Sequence, residues 1–426
     1  MEHSGNLEMQ KKSGVDLMSH ASQKQVNWKV YVTLSFIGIV VVTVAATWTK
    51  LWVLTALPVG FLFGFFLQKG DLCGSSAFSE VFMMRDARKM AGLVVLIVVA
   101  MVGFAVLDLF GWIKLTPKPL LYLNYIVGGV IFGAGIVLAG GCISGCLYKG
   151  AAGNLNSIVA LLGIPVGVMI VEFGPLHSLH VWMERHIIAI GDKGPVTLSA
   201  LTGLPFWSLA LFFAAATVVI VTILKRRRSG AAQIFQSDGK PWLERALTRP
   251  WRPWVAGIAI GLLMVPAFFS SIASGRNYPL GVTHGVMQVE LVLVDSGFNH
   301  IYAKKPAASA GSTASSNPSP KPNPGGKQVV WWLVAEVLSL MLGSWVSARM
   351  SGQAKLLPKP PDEILFALLG GVLTGIGAAF ARGCVVGNIM SGWALMSVGM
   401  FLFGIVTVLS NWVTTYFYMM GGQSAR

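Results

Sequence analysis

Apolar residues run along most of this chain in blocks of about 20, broken by short stretches rich in glycine and charge. A helix of about that length crosses the hydrocarbon core of a bilayer. The blocks at 29–48, 51–68, 88–111, 119–140, 155–175, 205–224, 254–271, 328–348, 363–382 and 394–418 predict about ten transmembrane helices. Four further stretches are too short or too polar to cross: 68–86 ("QKGDLCGSSAFSEVFMMRD"), 141–154 ("GCISGCLYKGAAGN"), 274–290 and 383–392. They read as re-entrant helices, because irregular backbone survives at membrane depth only where it is buried in protein or lines an aqueous cavity.

Two of these regions repeat. Residues 128–150, "GGVIFGAGIVLAGGCISGCLYKG", align without gaps with 370–392, "GGVLTGIGAAFARGCVVGNIMSG", and Cys142 falls on Cys384. Five spans per half is an odd number, so the second half is expected to be inverted relative to the first. Inverted repeats place substrate sites near the midplane, where the repeats meet. With re-entrant helices dipping in from both faces, the expected fold is an all-α polytopic membrane protein of hourglass-like shape.

Composition agrees with this reading. The 426 residues are 54% hydrophobic and 12% charged, with mean hydropathy +0.67. Soluble domains carry roughly twice that share of charge. The net charge of +15 would fit a nucleic-acid binder, but its lysines and arginines gather in short loops. That is the positive-inside pattern, which sets orientation. "KRRRSG" after the sixth block, with Lys240, Arg245, Arg249 and Arg252, marks a cytoplasmic loop. Counting outward puts both termini in the cytoplasm. Lys69, Arg85, Arg88 and Lys89 fall on the same side.

The domain reading is a polar cytoplasmic N-terminus at 1–27, a first membrane repeat at 28–200, and a last span before the repeat junction with its basic loop at 201–253. The second repeat begins at 254–302 and resumes at 328–426. Between them, 303–327 ("AKKPAASAGSTASSNPSPKPNPGGK") lacks apolar residues to bury and is expected to be a disordered outer-side linker. The first 26 residues carry no signal-peptide pattern.

The four cysteines, Cys73, Cys142, Cys146 and Cys384, lie at or near apolar segments, where a disulfide framework is not expected. An isolated buried cysteine is usually a small hydrophobe. The repeat singles out Cys142 and Cys384, whereas Cys146 is matched by Asn388. A functional partner for Cys142 is therefore expected far away in sequence, across the repeat interface. Arg382 precedes the second Gly-Cys pair, as an anion recruiter or a headgroup anchor. Lys69 and Lys149 flank the inner motifs and are explained by orientation. Glu172 and Glu336 are intramembrane acids and hence candidates for proton coupling. "HSLHVWMERH", with His177, His180, Glu184 and His186, reads as an interfacial amphipathic helix rather than a zinc site. No P-loop is present, and no cofactor or metal is expected.

The stretch "GFLFGFFLQKGDLCGSSAFSEVFMMRD" (60–86), with "GGCISG" and "ARGCVVGN", resembles the cysteine motifs of the YeeE/YedE family across most of residues 50–418. The resemblance implies a bacterial inner-membrane permease, not an enzyme, that imports thiosulfate or a related inorganic sulfur anion. It further implies a pathway of neutral thiols at Cys73, Cys142 and Cys384, set among Gly141, Gly145, Gly383, Gly387 and Arg382. A cytoplasmic sulfur-carrier protein is the partner it implies; nucleic acid is not one. Two alternatives stay open: a selenium species on the same scaffold, and a membrane thiol oxidoreductase.

Overall fold

The computed structural model describes residues 28–188, 195–227, 242–294, 299–301, 328–354, 356 and 360–420. The N-terminus 1–27, most of the "KRRRSG" loop and the 303–327 stretch lie outside the described residues. The helices of the first half are α1 (Trp28–Thr49), α2 (Ala56–Gly70), α3 (Gly74–Met83), α4 (Arg88–Leu109), α5 (Tyr122–Leu138), α6 (Ile143–Ala151), α7 (Leu155–Glu172), α8 (His177–Glu184) and α9 (Leu198–Thr202). Then follow α10 (Phe206–Arg227), α11 (Trp242–Thr248), α12 (Pro253–Ala273) and α13 (Val282–Val294). Two short strands, β1 (Asn299–Ile301) and β2 (Gln328–Val330), pair in parallel. The chain continues with α14 (Trp331–Met350), α15 (Pro361–Phe380), a π-helical turn at Val385–Met390, α16 (Ser391–Ala394) and α17 (Val398–Thr415).

Each expected span is a helix, with ends shifted by a few residues. Ten helices among the described residues are long and apolar enough to cross a membrane. The four stretches read as re-entrant contain α3, α6, α13 and the π-turn with α16. The chain is therefore an all-α multi-pass membrane protein, with one small two-stranded pairing.

Local sequence accounts for the helix starts. Pro361 opens α15 with Asp362 and Glu363 in its first turn, where the unpaired N–H groups favour acids. Asn154 caps α7 by accepting from the Ser157 N–H.

Packing follows an exchange rule between the halves. Helix α2 packs on α14, and its mate α12 packs on α4. Helix α7 packs on α15, and α17 packs on α5. Helix α6 meets α14, and α16 meets α4. Swapping the halves leaves this pattern unchanged, as a pseudo-two-fold relation requires. The central crossings depend on small residues. At the α7–α15 crossing a Cβ on Gly371 would overlap the Ala160 carbonyl, and one on Gly375 the Ile164 carbonyl. Without a hydrophobic drive between helices in lipid, this backbone approach supplies the dispersion contacts that hold the bundle. The periphery belongs to α1 and α10, whose large apolar side chains are largely uncovered (Trp48 is 86% exposed).

Candidate functional site

Three of the four re-entrant elements start directly after a cysteine. Cys73 precedes α3, Cys142 precedes α6 and Cys384 precedes the π-turn. The fourth, α13, starts after Gly281. No side chain caps the first turn after any of the three cysteines. Such helix starts present N–H groups and a partial positive charge, a setting that suits an anion.

All three cysteines are fully buried. Cys73 and Cys142 touch, with their sulfurs 3.9 Å apart. Gly145 permits this contact: a Cβ there would overlap the Cys73 sulfur and lie 3.6 Å from that of Cys142. Gly74 packs on the residue after Cys384, since its Cβ would lie 2.7 Å from a Val385 methyl. The three motif thiols are thus gathered in one layer. The thiol that Cys142 touches is distant in sequence but belongs to the same half; Cys384 comes from the other. Cys146 turns elsewhere and donates to the Gly141 carbonyl at 3.5 Å. Its sulfur bonds to a backbone carbonyl, in keeping with its lack of a cysteine mate in the repeat.

On the Arg382 side of this layer lies a cavity of about 350 Å³. Three cations line it, Lys118, Arg276 and Arg382, together with His284, Gly383 and Gly387. Nothing lies within 4 Å of where a Gly387 Cβ would be, so this glycine, one turn after Cys384, leaves open space in the cavity wall. Lys118 donates to the Arg382 carbonyl at 2.6 Å and to Asn388 Oδ1 at 2.8 Å. Burial, reinforced by the Arg276 guanidinium, pushes its ammonium down to about 7. Arg276 lies over the rings of Tyr278 and Trp332, at 5.5 and 5.6 Å from their centroids. Tyr278 in turn donates its hydroxyl to the Gly387 carbonyl at 2.6 Å, tying this loop to the π-turn.

Arg382 adopts a left-handed backbone conformation (φ +52), as does its repeat mate Gly140 (φ +68). Glycine does this without strain, whereas arginine needs compensation. The turn is held by backbone bonds from Arg382 N–H to the Ala379 carbonyl and from Gly383 N–H to the Ala378 carbonyl, and the Arg382 side chain forms an ion pair with Glu184 of α8. Glu184 also faces His180 at 3.2 Å. The "HSLHVWMERH" helix therefore joins the rim of the cavity through Glu184, a link that its amphipathic pattern alone did not reveal.

The opposite end is closed. Tyr148 is buried and donates to Asp71 Oδ1 at 2.7 Å. Lys89 bridges Asp71 and Glu80, at 2.6 Å to each. Lys149 donates to the Gly140 carbonyl at 3.1 Å. Lys69 is buried against the Leu247 carbonyl and Ser351 Oγ, a structural role beyond orientation. Sequence reasoning missed Lys118 and Arg276. Arg276 had a visible signal, being the one Lys or Arg inside a stretch read as re-entrant. Lys118 had none, because it reaches the site from a loop.

The arrangement offers an anion a basic chamber lined by Lys118, Arg276 and Arg382, with the glycines that flank Cys384 in its wall, and a hydrogen-bonded polar network at the far end. A sequence profile described as "Sulphur transport" matches residues 69–413. The thiosulfate transporter TsuA of Spirochaeta thermophila is 29% identical over 373 residues, covering 85% of this chain and 98% of the relative. The thiosulfate transporter TsuA of Escherichia coli is 25% identical over 388 residues, covering 88% and 97%. The probable transporter YedE of Escherichia coli matches a shorter stretch, 27% identical over 121 residues, which is 28% of this chain and 29% of the relative. With the profile spanning most of the spans, the re-entrant helices and all three motif cysteines, this chain belongs to the sulphur transport family.

Proposed function

We propose that the protein is a bacterial inner-membrane permease that imports thiosulfate or a related inorganic sulfur anion. Its termini lie in the cytoplasm, and the Arg382 cavity opens outward. Lys118, Arg276 and Arg382 attract the anion, and the first-turn N–H groups of the re-entrant helices hold it in the thiol layer. Cys384, Cys73 and Cys142 then pass its terminal sulfur from one S–H to the next, with Gly141, Gly145, Gly383 and Gly387 giving the backbone room. The supporting observation is a cavity lined by three cations together with Gly383 and Gly387, the glycines flanking Cys384, beside the contact of the Cys73 and Cys142 sulfurs at 3.9 Å. A thiol is a weak donor and acceptor, so each step binds the ion loosely enough to release it, as conduction demands. On the inner side, a cytoplasmic sulfur-carrier protein receives the ion.

Uptake of thiosulfate, sulfate, sulfite and selenite into proteoliposomes tests this reading. Thiosulfate should enter, and Cys142→Ala should abolish its entry. Full uptake by Cys142→Ala would sink the relay; preference for selenite would favour the selenium alternative. The Cys73–Cys142 contact also fits a second reading, a membrane thiol oxidoreductase, since the two sulfurs need approach by only about 2 Å to bond. Thiol oxidation without any anion uptake would select it.

A further inference from the structure

Glu336 lies on α14, inside a membrane span, and is fully buried. Its Oε1 faces the Gly281 N–H at 3.4 Å, and its Oε2 has no hydrogen-bond partner among the described residues. A buried carboxylate with an unsatisfied oxygen is costly and calls for a ligand. Its position is informative. Gly281 precedes α13, the one re-entrant helix without a cysteine, and it also lines the basic cavity. Leu333, one turn before Glu336, lines the same cavity. Where the other three re-entrant helices begin at a thiol, the fourth begins against a carboxyl group.

The charged group acting on this carboxyl is Arg276. Burial pulls its guanidinium below its usual range, and Glu336 opposes that shift. The remaining titratable groups on neighbouring elements are placed otherwise. Helix α13 carries His284, which lines the cavity, and Glu290. Tyr278, in the same loop as Arg276, is tied to Gly387. Lys69 on α2 is bound at the far end of α14 by Ser351; on α6, Cys146 bonds to the Gly141 carbonyl, and Tyr148 and Lys149 are engaged at the closed end. Tyr31 of α1 meets α14 at Trp345, and Lys29 lies near its own Trp28. On α11, Glu244 and Arg245 share the helix with Leu247, whose carbonyl accepts from Lys69.

The geometry points to Glu336 as the proton-binding site of a proton-coupled anion carrier, with Arg276 as the charge shared between proton site and anion site. This rests on the transport reading above. An ionised Glu336 and a sulfur dianion compete for the Arg276 guanidinium. Occupation of the cavity by the dianion therefore favours protonation of the carboxyl, and by linkage protonation tightens the anion site. The proton comes from the outer solution onto Oε2, moves inward with the anion and returns to water on the inner side as the anion leaves. One proton per dianion halves the charge carried against an inside-negative potential.

The test is concentrative uptake of radiolabelled thiosulfate into proteoliposomes. The potential is clamped at zero with potassium and valinomycin, and the outer pH is fixed so that Lys118 keeps one charge state. With the inside about one pH unit above the outside, one-to-one coupling accumulates thiosulfate toward about tenfold over the medium. Glu336→Gln should still admit thiosulfate but only equilibrate it, while Glu336→Asp, which retains a titratable carboxyl, should still accumulate it. Accumulation by Glu336→Gln would overturn the assignment, as would its loss in His284→Gln alone. Wild-type protein that equilibrates thiosulfate indifferently to the pH difference would overturn the coupling and leave the transport reading standing. Wild-type vesicles that admit no thiosulfate would reject both.

Discussion

At the scale of single residues, the site depends on contacts that tolerate little change. Gly145 faces the Cys73 and Cys142 sulfurs so closely that a methyl group has no room. Overpacking of this kind costs about 1–3 kcal/mol. Gly145→Ala should therefore lower thiosulfate uptake by roughly tenfold or more, while the purified protein keeps a single symmetric elution peak. Lys118 brings a pH dependence. Its ammonium is pushed down to about 7, so it is charged below that pH and neutral above it. Anion affinity should thus weaken as the outer pH rises from about 6 to 8. In a Glu336→Gln background, Lys118→Arg keeps its charge throughout and should flatten the curve; calorimetric thiosulfate binding across that range checks this. A slope unchanged by Lys118→Arg would assign the titration to another group.

At the scale of elements, helix crossings and helix starts do different work. The α7–α15 crossing is set by glycines against backbone carbonyls, where side-chain growth must push whole helices apart. Gly375→Leu is expected to lower the apparent melting temperature in detergent by several degrees, since about 1–3 kcal/mol of strain is large beside total stability. A melting temperature within error of the wild type would mean that the crossing yields more than close packing allows. The re-entrant starts, by contrast, contribute dipoles and thiols rather than packing area. The resemblance between 128–150 and 370–392 made two of them legible from sequence. It left the α13 start obscure, because Gly281 has no cysteine to flag it.

At the scale of the whole molecule, the contact pattern is unchanged by exchanging the halves, yet the two ends of the pathway differ. Three cations surround a chamber at one end, and the Tyr148–Asp71–Lys89 network closes the other. The fold symmetry permits an inward-facing state in which the roles reverse. The orientation read from loop charge puts the chamber outside. Arg382→Cys should then react with a membrane-impermeant maleimide added to intact spheroplasts, and thiosulfate should slow that reaction. Labelling only after the membrane is opened would reverse the orientation.

The chain's hydrophobic blocks settled that it crosses the membrane about ten times, because block length is compared directly with bilayer thickness. The gap-free match of residues 128–150 and 370–392 settled that Cys142 and Cys384 are counterparts, and the cysteine motifs pointed to the family. These are properties of neighbours along the chain. The tertiary structure alone decided that Cys142 meets Cys73 rather than Cys384, that Arg382 is held by Glu184, that Lys118 and Arg276 share one chamber, and that Glu336 stands at the fourth re-entrant start. Each joins residues from 55 to 198 positions apart, through helix crossings that glycine-to-carbonyl contacts fix and periodicity does not encode. Cys146, four residues from Cys142 in sequence, shows the same division: packing gave each thiol a different neighbour.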